Sequence, residues 1–157
     1  MASAPASTPT FRTIAELAER CGQFCWVETR LFELTGLWAS LDGPAEWKVF
    51  CSVTAGGHAA MATEWRARLP FRAGVDQEAL VVPPPGPLAT TIDELAQGSL
   101  EEGLPVVIGA VLPELVAEYS ALLDQASPVR EAPAMALLAR AAQRHADVVE
   151  RGRTLLS

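Results

Sequence analysis

The sequence predicts an all-α fold: four helices in two antiparallel hairpins joined by a long proline-rich crossover. Three observations carry this expectation. Apolar residues recur at three-four spacing over four long stretches. Breaks at Leu41-Asp42-Gly43-Pro44 and Ser127-Pro128 separate the members of each pair. Between the pairs stands Pro83-Pro84-Pro85-Gly86-Pro87, which no regular helix accommodates.

The first helix should run from about Thr13 to Trp38, with Ile14, Leu17, Cys21, Phe24, Glu28, Leu31, Thr35 and Trp38 along one stripe. Thr13 followed by Glu16 fits a capping box, and Gly36 and Gly43-Pro44 supply stop signals. The second should run from about Ala45 to Arg68 and present Trp47, Cys51, Thr54, His58, Met61 and Trp65, closed by Leu69-Pro70. Its adjacent Gly56 and Gly57 cost about 1 kcal/mol each against alanine in a helix interior. Something there needs close backbone approach or a kink.

The crossover covers about residues 70–91. Roughly twenty extended residues span on the order of 65 Å, whereas a helix of 24 residues is only about 36 Å long. The chain can therefore travel the length of a bundle and start the next helix at the opposite end. A short helix capped by Thr91 should follow to Gln97. The third long helix is expected from Leu104 to Gln125, with Ile108, Val111, Leu115, Tyr119 and Leu122 inward and Pro113 bending it. The fourth is expected from Ala132 to Leu156, with Pro133 in its first turn and Met135, Leu138, Ala142, His145 and Val149 on its stripe.

A chain of 157 residues suffices for one self-supporting core, assigned to 11–157 behind a flexible tail at 1–10. A formal charge of −7, with Arg66, Arg68 and Arg72 as the only local basic cluster, argues against a nucleic-acid surface. No uninterrupted apolar run reaches eighteen residues, so no membrane span is expected. The N-terminus lacks the basic start and apolar segment of a signal peptide. Three cysteines, Cys21, Cys25 and Cys51, form no C-x-x-C pair and read as small buried hydrophobes of a reducing cytoplasm.

Chemistry is most visible in the first hairpin. Glu28 and His58 each interrupt an apolar stripe, and each lies fifteen residues from Gly43, so an antiparallel hairpin brings them to one level. A buried carboxylate must be paired, hydrogen-bonded or protonated. Paired with His58 it forms either a structural contact or an acid/base dyad. Phe24, Met61, Trp65 and Tyr119 would line an apolar pocket beside it, as substrate contacts.

The wording Glu28-Thr-Arg-Leu-Phe-Glu-Leu-Thr-Gly36, His58 ahead of Trp65-Arg-Ala-Arg-Leu-Pro70, Val111-Leu-Pro-Glu-Leu-Val-Ala-Glu-Tyr119 and Ala126-Ser-Pro-Val resembles an actinobacterial family of ferritin-like proteins. The likeness covers most of the chain from about residue 20. It implies a ferritin-like four-helix bundle, whose di-iron members use two single glutamates and two Glu-x-x-His pairs. Here those pairs read Ala55-Gly-Gly-His58 and Ala142-Gln-Arg-His145, with both histidines kept and both bridging carboxylates gone. Met61 stands where the family carries a further histidine. The pattern argues against a normal dinuclear iron site and leaves a single iron, manganese or zinc ion on His58, His145, Glu28 and a glutamate of the third helix.

Level matching ranks those glutamates. A turn centred near Ser127-Pro128 puts His145 opposite Ala110-Val111, leaving Glu114 about 6 Å off level and Glu118 about 12 Å. Glu114 is the better candidate. The functional expectation is a small-molecule enzyme or binding protein. The resemblance adds an oxidative role in specialised metabolism, and metal-free acid/base chemistry is the other route. The rival is a non-enzymatic accessory subunit, a homodimer or partner protein, docking through Leu80, Val81 and Val82 of the crossover.

Overall fold

The computed structural model describes residues 13–157 except 72, 75 and 128–130. The expected tail at 1–10, Arg72 and Pro128 lie outside the described residues. Those described form an all-helical structure without strands. The long helices are α1 (Ile14–Ser40), α2 (Ala45–Arg66), α4 (Leu100–Gln125) and α5 (Ala132–Leu156), with a short α3 (Pro87–Leu95) in the crossover. α1 packs along α2, α4 along α5, α2 meets α5, and α3 lies on α1. One core draws on all five, with Leu31, Trp38, Trp65, Ile92, Leu104, Leu112, Leu115 and Leu137 fully buried.

The capping box at Thr13 is present. Its hydroxyl accepts from the Glu16 amide at 3.1 Å, and Glu16 accepts from the Thr13 amide at 2.6 Å. α2 ends two residues earlier than expected, with Ala67 donating to Thr63. α4 starts four residues before the expected Leu104, because Ser99 caps the Glu102 amide at 3.3 Å.

The crossover is more ordered than expected. A 3₁₀ turn, Gln77–Leu80, is capped by Asp76 at 2.9 Å, and Gln77 donates to the Leu69 carbonyl at 3.1 Å. The Leu80 carbonyl presses on α1 where Gly22 leaves no room for a Cβ. Leu80 and Val81 are half-buried against the core, and Val82 is exposed. α3 begins at Pro87, inside the stretch expected to lack helix. The proline ring is preset for a first helical turn, so Thr91 lies mid-helix and caps nothing.

α4 holds a further difference. Between Val107 and Val111 the backbone opens into a wide π turn, and the Leu112 amide reaches back to the Val107 carbonyl. Pro113 follows directly. A proline donates no N–H and crowds the carbonyl four residues back, and a wide turn of this kind relieves both. By length and composition α4 could cross a membrane, contrary to expectation. It nevertheless supplies Leu104, Ile108, Leu115 and Tyr119 to the core, while Glu101, Glu102, Glu114, Glu118 and Asp124 face outward.

Candidate functional site

Glu28 of α1, His58 of α2, Tyr119 of α4 and His145 of α5 meet in the core, each 0–1% exposed. Glu28 Oε2 stands 2.6 Å from His58 Nδ1, and Oε1 stands 2.6 Å from His145 Nε2 and accepts from the Tyr119 hydroxyl at 2.6 Å. The expected level match of Glu28 with His58 holds. The imidazoles stack on one another with centroids 5.1 Å apart, and Tyr119 stacks on His145 at 5.8 Å.

Burial opposes charge on Glu28. The attraction of His145 and hydrogen bonds from His145 and His58 outweigh it and hold the carboxyl well below its usual pKa. An ionised carboxylate brings no proton of its own. The ring nitrogens that face it, His58 Nδ1 and His145 Nε2, are then the protonated ones. Burial pushes the His58 pKa down more than Glu28 raises it. Burial, then the charge of Glu28 and the bond to it, push Tyr119 well up, so it stays a phenol and donates.

The opposite ring nitrogens, His58 Nε2 and His145 Nδ1, are buried without a protein partner, as is the Thr54 hydroxyl. All three residues line a cavity of about 40 Å³ with Val53, Gly57, Arg144, Val148 and Arg151. This is enough for a few water-sized groups, since one water needs about 10–15 Å³. A Cβ at Gly57 would lie 2.6 Å from one Arg144 guanidinium nitrogen, so a side chain there would push the end of the exposed Arg144 aside.

Glu114 is not brought to this group. It is exposed and lines a separate cleft of about 150 Å³ with Arg20, Phe24, Pro84 and Glu118. The expected register is the reason. Tyr119 pairs with His145 and Ile108 packs on Gly152, centring the hairpin on residues 130–132 rather than 127–128. Tyr119 thus takes the place sought for a glutamate. Phe24, Trp65 and Tyr119 form an aromatic cluster with centroids 4.5–5.7 Å apart, immediately beside the polar group. Met61, also buried, borders an open groove along α2 and α5.

Thr54, Arg144 and Arg151 carry no function in the sequence reading. Only the unusual Gly56-Gly57 pair hinted at the close approach of Arg144. The three cysteines are free and buried. Burial, against the opposing charge of Arg68, pushes Cys21 up to about 11, and burial pushes Cys51 to about 11. Burial raises Cys25 as well, and none is poised as a thiolate.

Glu28, His58 and His145 offer ligand atoms that all lie within 4.8 Å of one another. One carboxylate serves all three helices, so the bridging acids of a dinuclear iron centre are missing and that group does not fit. Two imidazoles and one carboxylate do fit a single iron, manganese or zinc ion. No family model, curated protein or solved structure matches this chain.

Proposed function

We propose that the protein is a small-molecule enzyme on a ferritin-like four-helix bundle, with Glu28, His58 and His145 holding one divalent iron, manganese or zinc ion. The observation that carries the reading is the convergence of these three donors from three helices inside a hydrocarbon core. A buried ionic cluster is at best weakly stabilising compared with apolar residues of equal volume, so stability alone does not account for it. Two imidazoles and a carboxylate are the donor set of mononuclear non-haem iron sites. Such an ion acts as a Lewis acid or redox centre.

The chain's own residues have defined tasks in this reading. Glu28 orients both rings, and Tyr119 holds Glu28 from the fourth side. To serve as ligands the ring nitrogens facing Glu28 would pass their protons to the far nitrogens of the same rings, and a second proton on either ring would compete with the ion, so loading would weaken as pH falls. The aromatic cluster excludes water on one flank. An oxidative step in specialised metabolism is the role proposed on the ferritin-like resemblance.

A metal-free alternative has its own support, the 2.6 Å contact of His58 Nδ1 with Glu28 Oε2. There the acid orients His58, whose free nitrogen accepts a proton from a substrate. Elemental analysis of protein purified without chelator separates the two. One ion per chain, lost in His58→Ala and in His145→Ala, supports the metal reading. Folded, metal-free protein that takes up no iron, manganese or zinc overturns it.

A further inference from the structure

We propose that the cavity on the far side of the His58–His145 pair binds a small carboxylic acid with a hydrogen-bond donor beside its carboxylate, such as a 2-hydroxy acid. This names a substrate class for the metal-free reading of the site and rests on it: Glu28 holds the N–H of each ring, which leaves the far nitrogens of His58 and His145 as acceptors.

Three features of the cavity converge on this chemistry. Arg144 and Arg151 both line it, and neither makes an ion pair among the described residues. Asp147, one turn from Arg144 on α5, accepts from Gln143 at 2.8 Å instead. Two guanidinium groups without acids at one small opening, in a chain of charge −7, suit a carboxylate, which arginine grips through paired N–H donors. The bare backbone of Gly57 makes room for the Arg144 side chain.

The interior supplies the rest. Thr54, at 4% exposure, has a hydroxyl without a partner and can donate to the same carboxylate. His58 Nε2 and His145 Nδ1 are the nitrogens left over after each ring has given its N–H to Glu28, so on a neutral ring they are acceptors. The two nitrogens of an imidazole point in diverging directions, which turns these acceptors away from Glu28. A bare carboxylate would satisfy the arginines and Thr54 and leave the ring nitrogens empty. A hydroxyl on the adjoining carbon donates its one hydrogen to one of them. The cavity volume of about 40 Å³ limits the group that enters to a few heavy atoms.

The test titrates metal-free protein, with its metal uptake measured in parallel, with glycolate, and separately with acetate, at constant ionic strength. It follows the imidazole nitrogens by long-range proton–nitrogen correlation spectroscopy. The expected result is a saturable shift of His58 and His145 with glycolate, and binding about tenfold weaker for acetate, which lacks the hydroxyl. Arg144→Gln and Arg151→Gln should each weaken glycolate about tenfold or more. Gly57→Ala should weaken it by displacing Arg144, and Gly56→Ala should leave it unchanged.

A shift that never saturates, or one that persists in the Arg144→Gln/Arg151→Gln double variant, overturns the site. Acetate binding as tightly as glycolate overturns the role given to the ring nitrogens. Metal content read on the same samples keeps the two readings apart. A saturable shift in protein that takes up no metal removes the ion and leaves the acid site standing. One bound ion without a saturable shift removes the acid site alone.

Discussion

Tyr119 donates its phenolic hydroxyl to Glu28 Oε1 at 2.6 Å, joining residues 91 positions apart in a site where both are fully buried. A hydrogen bond to a charged acceptor in such surroundings contributes about 1.5–3 kcal/mol. Tyr119→Phe keeps the ring stacking and removes only that donor. It should lower unfolding free energy by about that amount in urea titrations, and a change below about 0.5 kcal/mol would show the bond to be idle.

Glu28→Gln should be more damaging. The amide has one acceptor oxygen and two N–H groups, so it cannot accept from His58, His145 and Tyr119 together. Breaking a buried charged cluster through one member costs about 3–5 kcal/mol, readable as a lower denaturant midpoint. The variant should also take up no iron, manganese or zinc.

Acid should destabilise the protein in two stages. His58 has its folded pKa pushed below the unfolded 6.5, so as pH falls below about 6.5 the unfolded chain gains a proton that the folded one does not. Glu28, held below its unfolded 4.5, adds the same penalty under about pH 4.5. Unfolding free energy should therefore decline from about pH 6.5 downward and more steeply below about 4.5. Glu28→Gln should lose the steeper branch, and a flat profile between pH 7 and 4 would contradict both assignments.

The three thiols should be silent in the native state. Cys21, Cys25 and Cys51 are at most 2% exposed with raised pKa values. A chromogenic disulfide reagent at pH 8 should titrate none within minutes and all three after denaturation. Fast labelling of the folded protein would show an opening that the structure does not contain.

Gly56→Ala should raise stability by about 1 kcal/mol, because nothing lies within 4 Å of the added Cβ and alanine favours helix. Gly57→Ala gains the same backbone preference and loses the seat of Arg144. A calorimetric comparison should show Gly56→Ala to be the more stable of the two.

Much of this arrangement could be read from residue order, and the misses have physical causes. The level match of Glu28 and His58 about Gly43 succeeded because a tight turn with Gly-Pro leaves the register little freedom. His145 was found because it lies on its own apolar stripe. Glu114 was misplaced because α4 and α5 pair about a centre at residues 130–132, later than Ser127-Pro128 implied. The proline-rich crossover was expected to carry no helix until Thr91, yet Pro87 opens α3. Arg144 was invisible as a site residue because, in a string of letters, an arginine beside a histidine is an ordinary surface position.

The wide turn at Val107–Val111 also sets the phase of everything after it. One residue more or fewer rotates the remainder of an α-helix by about 100°. Wound as an ordinary α-helix, the same residues would turn Tyr119 away from Glu28 and bring a neighbouring side chain into its place, whereas losing one residue along with the widening would leave it where it is. The extra residue thus works as a gear setting: the identity of the third partner of Glu28 is decided eight to twelve residues upstream of it, by how tightly the chain is wound.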